Sequence, residues 1–298
     1  MALLFLTLYS IATVSLLGDF IDRVGSDDDD DAPDDDVATP TEAAPPEDLL
    51  ELTEPGTYTT GPADDTVIND VPIPGGVALS TADGDDTIDL TVDDSAIDAG
   101  LGDDTITVEG ANNAIKGRAG LDTIVVQDQG NSDIDSGFDD DVVTVTRTDS
   151  GAEASSVDLG KGDDSVTWQQ DVEEQDGTPP EASVLLGGDG ADTFRIELDV
   201  GLYAGDGSAV GPGEIIKIQD FEKGEDVLVI DVSGTKDPDD DLDRPFESVE
   251  IVENDAGTDT SLVIRYSATD DAPALEAEIG LKGVTGLTLD DISILEPA

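Results

Sequence analysis

GLGDDTITV, Gly100 to Val108, sets two glycines and two aspartates directly ahead of a segment in which Ile106 and Val108 alternate with threonines. Near-copies stand at ADGDDTIDL (Ala82–Leu90), RAGLDTIVV (Arg118–Val126), GKGDDSVTW (Gly160–Trp168) and GGDGADTFRI (Gly187–Ile196). The apolar residue that follows each acidic turn is Val67, Ile88, Ile106, Ile124, Val143, Val166 or Phe194; from Ile88 onward the steps are 18, 18, 19, 23 and 28 residues. A second apolar series, Leu79, Ile97, Ile115, Ile134, Val157 and Leu185, runs nine residues ahead of the first. The unit is therefore about nine residues, and two units make one coil. The later lengthening falls at one corner, in TRTDSGAEAS (Thr146–Ser155) and QQDVEEQDGTPPEAS (Gln169–Ser183). Stacked coils tolerate insertions at one corner, because the others must stay in register.

Period-two alternation, as in Ile88/Leu90/Val92, Val166/Trp168 and Phe194/Ile196/Leu198, puts one side of each strand inward and the other outward. One coil cannot bury its apolar side alone, whereas a stack can, with interior ladders of Ile and Val. The expected fold is all-β: a right-handed parallel β-roll or β-helix over residues 56–200. Shorter strands in residues 201–298, among them EIIKI, DVLVIDV, SVEIVE and TSLVIRYS, are expected to form a small β domain capping the open end.

The 298 residues hold 12 Lys and Arg against 73 Asp and Glu, a formal net charge of −61. Nucleic acid and anionic membrane surfaces are poor partners on electrostatic grounds, and multivalent cations are good ones. With neither His nor Cys, the chain has no imidazole or thiolate metal site and no His-dependent triad. Residues 1–22 open with the apolar run MALLFLTLYSIATVSLL. It lacks the basic start of a secretory signal and is short for a membrane span, so an uncleaved anchor through residues 1–21, an atypical signal and an amphiphilic tail all stay open. Residues 23–55, with DDDDDAPDDD, read as a disordered acidic linker.

The aspartates two residues before each apolar anchor, Asp65, Asp86, Asp104, Asp122, Asp141, Asp164 and Asp192, would form one column along a stack with coils about 4.8 Å apart. Ionised neighbours at that spacing repel by roughly 3–4 kcal/mol at an effective dielectric near 20. The equivalent positions on the opposite edge are Val77, Ser95, Asn113, Ser132, Ser155 and Ser183, with no carboxylate among them. One edge alone carries charge in every coil.

The repeat resembles the hemolysin-type (RTX) nonapeptide G-G-x-G-x-D-x-U-x, a calcium-binding β-helix motif in which U is a large apolar residue. GGDGADTFR from Gly187 meets every specified position, with Gly188, Gly190 and Asp192; GRAGLDTIV from Gly117 lacks one glycine but keeps Gly120 and Asp122. The copies at Thr81, Ala99 and Leu159 keep Gly84, Gly102 and Gly162 with their aspartates, whereas Ala63 and Asp139 replace the glycine ahead of Asp65 and Asp141. The resemblance implies calcium between coils, held by these aspartates and by the carbonyls of glycine-permitted turns. Hard oxygen ligands in number favour calcium over softer metals. A metal-free ladder of Asx turns remains the alternative, and Asp85, Asp103, Asp140 and Asp163 are weaker ligand candidates. IQDFEKGEDVLVIDVSG (Ile218–Gly234) and IGLKGVTGLTLDDISIL (Ile279–Leu295) are similar to the region following such repeats in serralysin-type exported proteins. There, D-F-x-x-G-x-D (here Asp220, Phe221, Gly224 and Asp226) closes the roll, and export is by the type I route.

The functional expectation is a non-catalytic, calcium-binding repeat protein, extracellular or held at the cell surface, with an extracellular polysaccharide or surface component as a further partner. A carbohydrate-active β-helix enzyme or its accessory module is the competing class. Arg118, Arg147, Arg195, Arg265 and Tyr266 are scattered in sequence and form no repeated acid/base cluster. Adhesion through the outward rows of Thr87, Thr105, Thr123 and Thr193 is a third.

Overall fold

A computed structural model describes residues 48–147, 153–171, 181–199, 213–232, 245–268 and 274–296. All fall within one compact unit, 44–298. The apolar N-terminal segment, residues 23–47 of the linker, and parts of both corner inserts lie outside the described residues.

The strands follow the nine-residue rhythm: β1 (Asp48–Glu51), β2 (Gly56–Thr59), β3 (Asp65–Ile68), β4 (Val77–Ser80), β5 (Thr87–Thr91), β6 (Ala96–Leu101), β7 (Thr105–Gly110), β8 (Ala114–Ala119), β9 (Thr123–Asp128), β10 (Asp133–Phe138) and β11 (Val142–Arg147). Then come β12 (Ser156–Lys161), β13 (Ser165–Asp171), β14 (Ser183–Leu186), β15 (Thr193–Asp199), β16 (Gly213–Ile218), β17 (Val227–Asp231), β18 (Phe246–Glu253), β19 (Thr260–Tyr266), β20 (Leu275–Leu281) and β21 (Ile292–Leu295). Odd-numbered strands from β1 to β17, with β21, form the first sheet; even-numbered strands from β2 to β16 lead through β20 and β19 to β18 in the second. Every pairing is parallel except β18–β19 and β19–β20.

The chain is thus an all-β, two-sheet parallel solenoid. Register keeps like on like: Ile88, Ile106, Ile124, Val143, Val166, Phe194, Leu228 and Ile292 pair in succession across the first sheet. Leu79, Ile97, Ile115, Ile134, Val157, Leu185 and Ile218 do so across the second. All are buried, in one continuous core cluster. Each such side chain stabilises by roughly 1.5–3 kcal/mol on full burial, so the long column of aliphatic rungs is the main attractive term.

The first strand lies in the segment that composition assigns to the linker. Leu50 and Leu52 alternate inward there, Leu52 is buried, and the Leu52 N–H donates to the Ile68 carbonyl at 2.8 Å. Composition averaged over an aspartate-rich window hides two apolar residues at period two. Beyond residue 200, β16, β17, β20 and β21 extend the two sheets, while β18 and β19 add antiparallel strands to the second. Phe221 packs on Phe194 with ring centroids 6.2 Å apart. Among the described residues, no helix is long and apolar enough to cross a membrane.

Removing Glu214–Ala298 uncovers the N–H and C=O groups of β14 and β15, leaving long parallel edges able to pair with other chains. The truncated protein is expected to form large particles by size-exclusion chromatography with light scattering. A monodisperse monomer would show that these strands protect no edge.

Candidate functional site

Each coil passes from the second sheet to the first through a short acidic turn, as between β6 and β7 at Gly102–Asp104. The period-two alternation of the strand continues back into the turn. Asp104, two residues before Ile106, therefore shares its inward side, while Asp103 faces solvent. The result is a column of carboxylates at the wall of the core. Asp65, Asp86, Asp104, Asp122, Asp141, Asp164 and Asp192 are all buried, at 1–3% exposure.

Each of these residues is tied to the next coil. The backbone N–H of Asp65 donates to Asp86 Oδ1 at 2.7 Å, Asp86 to Asp104 at 2.8 Å, and Asp104 to Asp122 at 2.9 Å. Asp122 donates to Asp141 at 2.8 Å, Asp141 to Asp164 at 2.7 Å, and Asp164 to Asp192 at 3.0 Å. One oxygen of each acceptor is thereby satisfied. For Asp86, Asp104, Asp122, Asp141 and Asp164 the second is not: their Oδ2 atoms, and that of Asp65, are buried without a hydrogen-bond partner. A buried unsatisfied polar atom costs about 1–3 kcal/mol, and more when it carries charge.

The electrostatics follow. Burial pushes Asp104 and Asp141 up to about 7, and Asp122, Asp164 and Asp192 to about 6; Asp86 is raised for the same reason. The N–H bond from the preceding coil opposes this rise, and the neighbouring carboxylates reinforce it. At neutral pH the column asks for positive charge or protons.

The glycines named from the motif lie in the same turns. Gly84, Gly102, Gly120, Gly162 and Gly190 all have positive φ, and so does Gly188, two residues before Gly190. A Cβ built on Gly102 would lie 2.1 Å from the Gly84 carbonyl oxygen, and one on Gly120 would lie 2.0 Å from that of Gly102. The missing side chains let carbonyl oxygens of one coil approach the turn of the next closely. In the Asp141 turn, Asp139 takes the glycine's place with φ of 76°, a conformation that an L side chain adopts at a cost.

The outer aspartates bond in the opposite sense. Asp64, Asp85, Asp103, Asp140 and Asp163 accept N–H bonds from the following coil, from Asp85, Asp103, Leu121, Asp163 and Ala191 respectively, at 2.8–3.1 Å. They staple the turns from the solvent side, a role that spacing alone leaves invisible. On the opposite edge the inner bond is made without charge. Val77 N–H donates to Ser95 Oγ at 3.2 Å, Ser95 N–H to Asn113 Oδ1 at 3.1 Å, and Ser132 N–H to Ser155 Oγ at 3.1 Å. Where that edge carries its insert, Asp128 and Arg147 are buried: Ser155 Oγ donates to Asp128 Oδ2 at 2.5 Å, and an Arg147 guanidinium N–H to Ser183 Oγ at 2.6 Å.

The aspartate column closes at a residue the repeat does not predict. Asp226 accepts the Asp192 N–H on Oδ1 at 3.0 Å and the Glu222 N–H on Oδ2 at 2.7 Å, so both its oxygens are bonded. Asp220 accepts N–H bonds from Gly187 and Gly188 at 3.0 and 2.9 Å. Asp226 stands two residues before buried Leu228, the same spacing as every earlier rung. The resemblance of D-F-x-x-G-x-D pointed to Asp226 as part of the closing stretch, but the 34-residue gap from Asp192 concealed that it continues the column.

Among the described residues, no three acidic side chains converge on one point. A cation at this edge would draw on one carboxylate per coil together with backbone carbonyls. The buried partnerless Oδ2 atoms and the glycine cradle fit such an ion. No protein-family model matches the chain, and no curated protein does.

The raised carboxylates give a signed pH dependence. In metal-free buffer the folded state holds more protons than the unfolded chain between about pH 4 and 7, so stability falls as pH rises through that window. The urea midpoint in chelator is expected to be higher at pH 5 than at pH 8. An equal or higher midpoint at pH 8 would mean that the column is not buried in the metal-free fold.

Proposed function

We propose that this protein is a non-catalytic, calcium-binding β-roll that works outside the cell or at its surface and takes its full stability from ions held between coils. The observation that carries the reading is the row of six buried Oδ2 atoms with no partner. A hydrogen-bond ladder needs one oxygen per coil, and the opposite edge makes its ladder with Ser and Asn. The second carboxylate oxygen therefore calls for another occupant. Calcium suits it, because hard oxygen donors from carboxylates and carbonyls satisfy its flexible coordination. The resemblance to the hemolysin-type nonapeptide supports the same ion.

Millimolar extracellular calcium matches the affinities of about 10⁻⁴–10⁻³ M typical of extracellular modules. An ion that binds only the folded state adds stability by mass action. Its positive charge also offsets the self-repulsion of a chain carrying −61. The non-catalytic reading rests on the chain's lack of His and Cys and on its want of any repeated acid/base cluster.

Residues from about 48 onward should unfold at a higher urea concentration in calcium than in excess chelator; coincident midpoints would sink the reading. Asp122→Asn keeps the acceptor for the Asp104 N–H but removes a ligand charge, so it should raise the calcium midpoint by severalfold. If the ladder is metal-free, the same change removes a buried charge and stabilises instead. Asn113→Ala, on the opposite edge, loses bonds from the Ser95 N–H and to the Val92 carbonyl. It should cost roughly 0.5–1.5 kcal/mol per bond with no loss of bound calcium, measured by calorimetry.

A further inference from the structure

The acidic corner has a solvent face as well as a buried column, and the repeat supplies its own control there. The outer position of the turn is Asp64, Asp85, Asp103, Asp140 and Asp163 in turn, each accepting an N–H from the coil after. In the coil between Asp103 and Asp140 it is Leu121, which can accept no such bond and is 55% exposed. Two residues earlier, at the end of the second sheet, register aligns Asp83, Leu101, Ala119, Phe138, Lys161 and Asp189 on successive coils. Leu101 and Phe138 are each 55% exposed, with the small Ala119 between them. The strand that follows the turn opens on Thr87, Thr105, Thr123, Ser165 or Thr193 in neighbouring coils, but on Val142 in this one, 48% exposed.

Leu101, Leu121, Phe138 and Val142 therefore share one patch across adjoining coils, about 10 Å along the stack. The fold does not ask for them: equivalent coils fill these places with carboxylates, hydroxyls or a lysine. Singly exposed apolar residues need no explanation, whereas contiguous ones on an otherwise polar surface mark an interaction site. The rim is acidic, with Asp103 on the N-terminal side and Asp139, Asp140 and Asp163 on the C-terminal side, all exposed. The nearby cations are already engaged. Arg118 pairs with Asp98, and Lys161 lies 3.7 Å from Asp189 and 5.7 Å from the centre of the Phe138 ring.

We infer that Leu101, Leu121, Phe138 and Val142 form a docking site for a basic amphipathic segment of another protein, apolar at its centre and flanked by Lys or Arg. Charge selects that occupant. A second copy would bring the same acidic rim and a further −61, and an anionic lipid surface would be repelled. The inner column faces the core and the patch faces solvent, so the inference goes beyond the calcium reading and does not rest on it.

The test uses the full chain in calcium at physiological ionic strength, with a fluorescent helical peptide of leucine and lysine whose leucines lie on one face. A peptide of the same composition with its leucines scattered controls for bulk charge. Anisotropy should show the amphipathic peptide bound about tenfold tighter than the control, and Leu121→Asp should abolish that preference. This change installs the residue of the neighbouring outer positions and offers the Asp140 N–H an acceptor, as Asp103 does for Leu121, so the urea midpoint should hold or rise. Should Leu121→Asp fail to fold, Phe138→Ser decides by the same loss of preference. Equal affinity of the wild type for both peptides, or a preference that survives these changes, would overturn the inference. So would a wild-type dimer in light scattering that Leu121→Asp dissociates, or flotation with anionic vesicles that Leu121→Asp abolishes, since the patch would then belong to a second copy or to lipid.

Discussion

The bond from one aspartate's backbone N–H to the next coil's Oδ1 organises everything else on this edge. It fixes the stacking register, because a slip would leave both the N–H and the carboxylate unmatched at the wall of the core. It also fixes the rotamer: with Oδ1 held against the backbone of the preceding coil, Oδ2 is turned into a dry environment. The opposite edge separates the two consequences. Ser95 and Asn113 accept the same kind of bond and bring no charge with it. Register alone therefore does not account for aspartate. The second oxygen is the part of the residue that a neutral substitute would not reproduce, and the column must be read by what satisfies that oxygen.

The turns are held by two ladders of opposite polarity. The inner aspartates accept from the coil before, the outer ones from the coil after. A coil bonded in both senses has no freedom to tilt at this corner, which is why the glycines lie so close to the carbonyls of the adjacent turn. The opposite corner makes the outer bond at Asp93, from the Ala111 N–H, without repeating it in every coil, and it carries the inserts. There the chain uses a buried Asp128 and Arg147, bonded through Ser155 and Ser183, to anchor the strand ends that flank the added residues. Charge on one edge repeats in every coil, whereas on the other it is sporadic, at Asp93, Asp128 and Arg147.

Much of this was legible in the sequence. Ile88, Ile106 and Ile124 at equal spacing determined the anchors of the first sheet, and the nine-residue offset to Ile97 and Ile115 determined the second. Thr87, Asp89 and their equivalents marked the outward face. The spacing of Asp104 from Ile106 placed the carboxylate on the inner side, since period two admits no other side. What spacing could not supply was the partner of each oxygen. The division of labour between Oδ1 and Oδ2 depends on the angle at which one coil lies over the next, a tertiary quantity. The bonds made by Asp85 and Asp103 were hidden for the same reason. β1 was hidden differently: two leucines carry little weight in a window dominated by acid, although in the fold Leu52 is as buried as the anchors of the repeat.

The ladder also has a direction, and its two ends differ. Every inner bond points from the N-terminal coil to the C-terminal one, and the unmet second oxygen recurs down the column from Asp65 to Asp164. At Asp226 it stops, because the turn Phe221–Glu225 brings the Glu222 N–H onto the second oxygen. The C-terminal rung is thus complete with backbone donors alone, and Asp220 holds the adjoining Gly187–Gly188 turn in the same way. Phe221 secures that turn to the core through Phe194. A charged coil laid on this end meets an acceptor already oriented by the chain itself, whereas each rung from Asp65 to Asp164 must have its second oxygen met by something the backbone does not provide. At the closing turn the aspartate edge is therefore self-sufficient, with both oxygens of Asp226 held by backbone donors.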